Sequence, residues 1–418
     1  MSYNDVTNYT IGVMEYLYKN GFTNQDGMYH YPDPGIPYND TKMKSYPSHL
    51  SYLSELSPAS KKNKILENHT HRERFIFAAN EPNCLYNDTY AVLNAIHPDL
   101  YAIHKKPMDT IAYKVSLNAL VSDFENKDLI AAVAKEYDNF NIVFFFFQGY
   151  LAYQWYRQYM HYEPFDTFSY KFNSMSRIID KKRSYRLYIT SKLAEYDLLD
   201  QGQVSCSFKC PDSENTIHEI LSERYCFLTY PQRVHIKENI LDVLPLRFDK
   251  NEFDVIPNTS YEIDWHTMGQ SFLHVVNETV YYENFVHLTE KIFKPIVCQR
   301  PFILASAPGS LAFLKRYGFR TFDQWIDESY DEEPDHNVRL DMIAKEIRTL
   351  CSYSISQLHG IYEDMKPVLE HNRKIFFEKL EDIVLEELVE NCRDVYEKSE
   401  KIFGPTNHSS DYYPDHQD

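Results

Sequence analysis

The stretch that decides the fold is Asn277–Leu314, NETVYYENFVHLTEKIFKPIVCQRPFILASAPGSLAFL. The apolar run Ser271–Thr279 leads into it as a buried strand, and Thr289, Glu290 and Lys291 open a predicted helix after a polar loop. A strand, a loop and a helix in this order indicate an α/β unit with a parallel sheet. Ligands of such sheets bind at the carboxyl ends of the strands.

The triplet Thr289, Glu290 and Lys291 suits a phosphorylated ligand. Thr289 would cap the helix, whose exposed N–H groups would face an anion together with Lys291 and Lys294. Glu290 would bind a hydroxyl or stabilise positive charge. A capped surface helix with an i,i+4 pair between Glu290 and Lys294 explains the same residues. Because proline is tolerated in the first turn, Pro295 predicts a helix that starts near Lys291 or is kinked.

A second basic segment lies between a short strand predicted at Ser169–Ser174 and an amphipathic helix with apolar residues from Leu187 to Leu198. Its cations crowd into a short span of an acidic chain: Arg177, Lys181, Lys182, Arg183 and Arg186. Cations beside a helix N-terminus suit a diphosphate. By charge alone, a solvated basic loop explains them slightly better.

Strand ends supply further candidates. Glu278 ends the strand Ser271–Thr279 and would hold a ribose or sugar hydroxyl, whereas His274 within that strand is expected in the core. In the N-terminal half, Arg74–Asn80 and Asn141–Phe147 have the composition of strands. The predicted organisation is an N-terminal α/β domain at 1–164 with an irregular start, a second α/β domain at 165–340, a helical appendage at 341–404 and a disordered tail at 405–418.

Composition limits the partners. The formal net charge of −18 repels polyanions, so DNA is a disfavoured partner. The seven cysteines lack a paired CxxC spacing, which favours reduced thiols in the cytoplasm over a zinc site. No apolar run approaches the roughly 20 residues that cross a bilayer, so we expect no membrane partner. Asp331 and Asp335 lie in an acidic stretch that we interpret as a solvated loop, and no DxD-type metal motif is evident.

The segment YENFVHLTEKIFKPIVCQRPFIL, residues 282–304, resembles the signature of the α-1,3-fucosyltransferase family. It shares an aromatic-Glu-Asn start, a Thr-Glu-Lys triplet and a following apolar strand. Residues 166–347, which include FLKRYGFRTFDQWIDESYD, resemble glycosyltransferase-like proteins of large tailed phages. The resemblance implies a GT-B-like fold of two Rossmann-like domains with a C-terminal helical appendage.

The resemblance also implies a metal-independent and inverting glycosyltransferase. Its donor would be a nucleotide-diphosphate sugar, with a GDP-sugar favoured and a UDP-sugar as the alternative, and no further cofactor would be required. Arg183 and Arg186 occupy the place of the Arg-x-x-Arg-like element that meets the donor phosphates in such proteins. Donor-binding candidates are therefore Arg183, Arg186, Glu278, Glu283, Asn284, Thr289 and Lys294, and catalytic candidates are Glu81, Glu290 and Lys291.

The general base and the acceptor are less constrained. Glu81 follows the first predicted strand and is favoured as the base that deprotonates an acceptor hydroxyl, with Asp88 and Glu73 as alternatives. The acceptor would be a glycan, a protein or a modified base of phage DNA, in the host cytoplasm if the protein is phage-encoded. A non-catalytic sugar- or nucleotide-binding protein of a virion or host interaction also fits the aromatic content of 15%.

Overall fold

A computed structural model describes residues 140–403, except 177, 207–216, 223–226, 247–259 and 284, together with Val13, Tyr16, Leu17, Asn20 and three earlier strands. The chain forms two compact units. In its described part, the first unit contains the residues up to Phe145 and the chain from Leu385 onward, and the second unit is Phe146–Val384.

The first unit contains a parallel four-stranded sheet. Its strands follow the order of the chain: β1 (Met28–His30), β2 (Glu73–Phe77), β3 (Ser116–Val121) and β4 (Phe140–Phe144). The strands predicted at Arg74–Asn80 and Asn141–Phe147 correspond to β2 and β4, but β4 ends at Phe144 and Phe147 already begins a helix. Val143 and Phe144 are buried, as expected for an apolar strand.

The second unit contains another parallel sheet, and this sheet positions the candidate site. Its strands are β5 (Tyr170–Ser176), β6 (Gly202–Cys206), β7 (Ser271–Asn277) and β8 (Phe302–Ala305), in the spatial order β6, β5, β7, β8. Every residue of β7 and β8 is buried. Parallel strands joined by helices are buried on both faces, which explains their continuous apolar runs. The α/β class predicted from sequence is therefore confirmed.

Helices surround the strands and continue to the C-terminal part of the chain. They are α1 (Phe147–Tyr156), α2 (Tyr185–Glu195), α3 (Ile217–Ile220), α4 (Tyr230–Asn239), α5 (Trp265–Gly269), α6 (Glu290–Val297), α7 (Ser310–Arg316), α8 (His336–Cys351), α9 (Ile355–Glu378) and α10 (Leu380–Phe403). Within the described residues, no helix combines the length and apolar character needed to cross a membrane.

The units divide the chain differently from the boundaries predicted by sequence. The change falls at Phe146 and not at residue 165, because the Phe146 ring packs 5.9 Å from Phe293 in α6 and 5.0 Å from Phe313 in α7. Helices α8 and α9 also belong to the second unit. The Tyr188 hydroxyl donates to Asp341 of α8 at 2.6 Å, which ties α2 to α8. Most of the predicted appendage is therefore part of the second unit.

In the sequence, Pro367 predicts a break between two helices, and this prediction is wrong. The proline lies inside the 24-residue helix α9, and the breaks fall instead at Ser352–Ser354 and Lys379. Ser354 forms a capping box with Gln357 that fixes the start of α9. Tyr362, Met365 and Leu369 on either side of Pro367 are buried, so packing outweighs the hydrogen bond that proline loses.

The acidic stretch after α7 is not simply a solvated loop. Asp331 is buried, and its carboxylate accepts hydrogen bonds from the backbone N–H of Leu311 at 3.0 Å and of Ala312 at 3.3 Å. Asp335 caps α8 by accepting from the N–H of Asn337 at 2.8 Å. Both aspartates therefore accept hydrogen bonds from the N–H groups at a helix N-terminus, Asp331 at α7 and Asp335 at α8.

Candidate functional site

Side-chain hydrogen bonds connect Glu278, the residue after β7, to Thr289, the residue before α6. The buried Glu278 carboxylate accepts hydrogen bonds from the backbone N–H of Thr289 at 3.2 Å and from its hydroxyl at 2.6 Å. Thr289 is the N-cap of α6, since its hydroxyl oxygen accepts from the Lys291 N–H at 3.5 Å. The predicted cap is confirmed, and the helix begins at Glu290 with Pro295 in its second turn.

The ammonium group of Lys291 is hydrogen-bonded to three neighbouring side chains. Its ammonium group donates to the Thr289 hydroxyl at 2.9 Å, to the Thr279 hydroxyl at 3.3 Å and to the Glu290 carboxylate at 3.2 Å. Burial would raise the pKa of Glu290, but the ammonium groups of Lys291 and Lys294 outweigh burial and lower it. Glu290 is therefore held as a carboxylate beside the helix N-terminus.

Arg186 reaches the same strand end from α2. Its guanidinium donates to the backbone carbonyls of Asn277 and Glu278, each at 2.9 Å, and to that of Ile178 at 2.8 Å. The hydroxyl of Tyr185 also donates to the Glu278 carbonyl. Arg186 is buried, with a relative exposure of 5%. The two basic segments thus meet at Glu278. Most of the N–H donors of Arg186 bind backbone carbonyls, so this side chain stabilises the strand end.

The cations before Arg186 are more exposed. Lys181 is exposed, whereas Lys182 and Arg183 are half-buried in a single 3₁₀ turn. Asp180 caps that turn and forms a salt bridge with Arg183. The Lys182 ammonium lies 4.0 Å from the Glu283 carboxylate. We call Arg186, Glu278 and Thr289 the inner region and Lys181, Lys182 and Arg183 the rim.

An aromatic pair adjoins the rim. The Phe227 ring stacks on Tyr282 with a centroid distance of 4.7 Å and an interplanar angle of 22°. The Lys181 ammonium lies 5.4 Å from the Phe227 centroid. Glu283, next to Tyr282, has one carboxylate oxygen that is buried without a hydrogen-bond partner. Such an oxygen is costly unless water or a ligand group satisfies it.

A second aromatic stack fixes the loop between Glu278 and Glu283. Tyr281 lies between Tyr185, at a ring distance of 4.3 Å, and the Arg339 guanidinium, at 4.5 Å from its centroid. Arg339 also donates to the Tyr281 carbonyl at 2.7 Å. No pattern in the sequence assigns a role to Tyr281, Arg339 or Phe227. The many tyrosines and clustered basic residues indicate that aromatic and cationic side chains could pack together, but not which of them are in contact.

Strand ends contribute small polar groups that sequence analysis did not single out. The Asn277 amide donates to the hydroxyls of Ser174 at 3.2 Å and Ser176 at 3.3 Å. Asn277 is the last residue of β7 and Ser176 the last residue of β5. The side-chain oxygen of Asn277 is buried without a hydrogen-bond partner. The carboxyl edge of this sheet is therefore polar, as ligand-binding edges of α/β sheets are.

The remaining predicted residues lie elsewhere. Lys294 is half-buried in α6, and His274 is buried in β7, where burial lowers its pKa to about 4. Glu73 is the first residue of β2 in the first unit. Glu81, Asp88, Arg177 and Asn284 lie outside the described residues. In the part of the chain that the structure describes, no group of three or more His, Cys, Asp or Glu side chains could hold a metal ion.

Comparison with known proteins adds no family. No protein-family model matches the chain, and no curated protein matches it.

Proposed function

We propose that the protein is a metal-independent glycosyltransferase of GT-B type that transfers a sugar from a nucleotide-diphosphate sugar to a hydroxyl acceptor. The observation that carries this proposal is the meeting of both basic segments at Glu278, on the carboxyl edge of a parallel sheet. This edge is where α/β folds bind nucleotides, and positive charge there stabilises a departing diphosphate. The second α/β unit is consistent with the fucosyltransferase-like resemblance.

The proposed donor site divides the work between the inner region and the rim. The N-terminus of α6, Lys291 and the rim cations would face the diphosphate. Arg186 would act one step away, by fixing the backbone of Asn277 and Glu278 beneath it. Glu290 is held ionised and would bind a ribose or sugar hydroxyl. In this proposal the phosphates are contacted by Lys181, Lys182 and Arg183 and not directly by Arg186.

The base of the donor would stack beside Phe227 and Tyr282. The unpartnered Glu283 oxygen favours guanine, because a carboxylate can only accept and guanine presents adjacent N–H donors on one edge. Uracil presents one N–H between two carbonyl oxygens, which a carboxylate would repel. A GDP-sugar is therefore the favoured donor and a UDP-sugar the alternative. Binding would require Lys182 to turn from Glu283 toward the phosphates.

The acceptor hydroxyl requires a base, for which Glu81 remains the proposal and Asp88 and Glu73 remain alternatives. We also propose inversion at the transferred carbon and a cytoplasmic location. The acceptor is a glycan or a protein hydroxyl. A modified DNA base is disfavoured by the net charge of −18.

The experiment that tests the proposal is a thermal-shift panel of GDP, UDP and ADP, followed by hydrolysis of the matching nucleotide sugars. A ligand at 100-fold excess over its Kd stabilises the folded protein by about 2.7 kcal/mol. We expect GDP to give the largest shift and its sugars to be hydrolysed slowly. Failure of all three nucleotides to stabilise the protein would contradict the proposal.

A second candidate is a non-catalytic nucleotide- or sugar-binding protein. It is favoured by the engagement of Lys291, whose three ammonium hydrogens all have acceptors nearby. Binding of a GDP-sugar with no turnover, in the presence of a broad set of glycan and protein acceptors, would select this candidate.

A further inference from the structure

An aromatic corner lies near the amino-terminal end of β7, away from the carboxyl edge that forms the donor site. It consists of Tyr159, Tyr162 and Trp265, the last of which opens α5 just before β7. The Tyr162 and Trp265 rings stand nearly perpendicular, with centroids 5.3 Å apart and an interplanar angle of 76°. Tyr162 is 48% exposed, so one wall of the corner faces solvent.

The corner is held rigidly: of its three rings Tyr162 is exposed, Trp265 is half-buried and Tyr159 is buried. Tyr159 stacks parallel to Trp265 at 5.8 Å, and its hydroxyl accepts from the Ile263 N–H at 3.0 Å. The Arg373 guanidinium lies 5.9 Å from the Trp265 ring and donates to the Tyr162 carbonyl at 2.6 Å. It also donates to the carbonyls of Tyr159 and Met160, each at 3.1 Å. Rings fixed before binding lose little entropy when a ligand stacks on them.

The surrounding charges restrict the ligand. Arg373 beside Trp265 disfavours a cation on that ring. Three exposed carboxylates are chain neighbours of the corner: Glu163 follows Tyr162, and Glu262 and Asp264 flank Ile263, whose N–H donates to Tyr159. These carboxylates disfavour an anion such as a phosphate or a nucleic acid. A neutral ligand with an apolar face and many hydroxyl groups satisfies both limits, because carboxylates accept hydrogen bonds from hydroxyls.

We propose that the aromatic corner is a binding site for a neutral saccharide. The C–H face of a pyranose ring would stack on the exposed Tyr162 ring, with Trp265 as the perpendicular wall, and the sugar hydroxyls would donate to the flanking carboxylates. The site is separate from the donor site and does not depend on the proposed transfer. In a transferase it would anchor a glycan acceptor, and in a binding protein it would be the recognition site itself.

The test is calorimetric titration of the full chain with four neutral oligosaccharides: maltohexaose, cellohexaose, mannohexaose and chitohexaose. We expect at least one to bind with a Kd in the millimolar range or tighter, and Tyr162→Ala to weaken that binding about tenfold. Tyr162→Phe keeps the ring and should bind like the wild type. Tyr230→Ala is the matched control, because Tyr230 is 67% exposed on α4 and outside the corner.

Three results would overturn the proposal. They are no binding by any of the four saccharides at millimolar concentration, equal binding by Tyr162→Ala and Tyr230→Ala, or loss of binding in Tyr162→Phe. Heparin and polylysine serve as charged probes, and Tyr162-dependent binding of either without saccharide binding would also contradict it. The GDP thermal shift of each variant is measured in parallel. Since Tyr162 is outside the donor site, that shift should be unchanged, and the two proposals can fail separately.

Discussion

The inner region and the rim contain the same kinds of residue but use them differently. In the inner region, Arg186 and Glu278 are buried and hydrogen-bonded to backbone and to Thr289. On the rim, Lys181 is exposed and touches an aromatic ring, and Lys182 lies at a long 4.0 Å from a carboxylate. Burial thus separates the cation that braces the strand end from the cations that we propose bind the diphosphate.

The largest effect should come from Arg186→Ala. The variant leaves the carbonyls of Asn277, Glu278 and Ile178 without their shared donor in a buried setting. We expect the free energy of unfolding to fall by about 3 kcal/mol or more. Urea unfolding measures this loss, with Lys181→Ala as the control that should change stability by less than about 0.5 kcal/mol. Equal stability of the two variants would remove the distinction between the regions.

His274 is buried within β7, outside the inner region, and gives the stability of the protein a pH dependence. Burial lowers its folded-state pKa from 6.5 to about 4, so the unfolded chain binds more protons between these values. Its contribution to stability is complete above pH 6.5 and is lost as the pH falls toward 4. The expected loss is about 3 kcal/mol.

The measurement for His274 is urea unfolding of the wild type and His274→Asn across that pH range. Because other groups also titrate there, the informative quantity is the difference between the two slopes. A difference in slope near zero would show that His274 is not buried as the neutral form.

Glu278→Gln and Glu283→Gln compare one substitution in both regions. Glu278 accepts charge-assisted bonds from both the N–H and the hydroxyl of Thr289, so its variant should lose about 2 kcal/mol. Glu283 has an unpartnered oxygen, so its variant should unfold at nearly the wild-type urea concentration. The Glu283 variant should instead bind GDP more weakly. A larger loss of stability in Glu283→Gln than in Glu278→Gln would contradict the distinction between the inner region and the rim.

Local features of the site could be predicted from the sequence. Strand β7, the Thr289 cap and the buried His274 each follow from periodicity or from one capping residue within a few positions. These features depend on neighbours in the chain, which a sequence displays directly. For the same reason the sequence predicts strands near Arg74 and Asn141, although it extends the second strand to Phe147, beyond its end at Phe144.

Features that depend on distant contacts could not be predicted. Nothing local distinguishes Arg186 from Arg183, since only the folded chain brings Arg186 under the end of β7. Asp331 caps a helix that begins 21 positions earlier, at Ser310, so its place in the sequence indicates only a loop carboxylate. Pro367 remains helical because packing on both sides outweighs its missing N–H.

The most direct test of the account is calorimetric titration of GDP into the wild type and into Lys181→Ala/Lys182→Ala. The account predicts that GDP binds the wild type and that the double variant, with unchanged stability, binds at least about tenfold more weakly and with a smaller salt dependence. Equal GDP affinity in the two proteins, or no binding to the wild type, would contradict the claim that the rim receives the diphosphate.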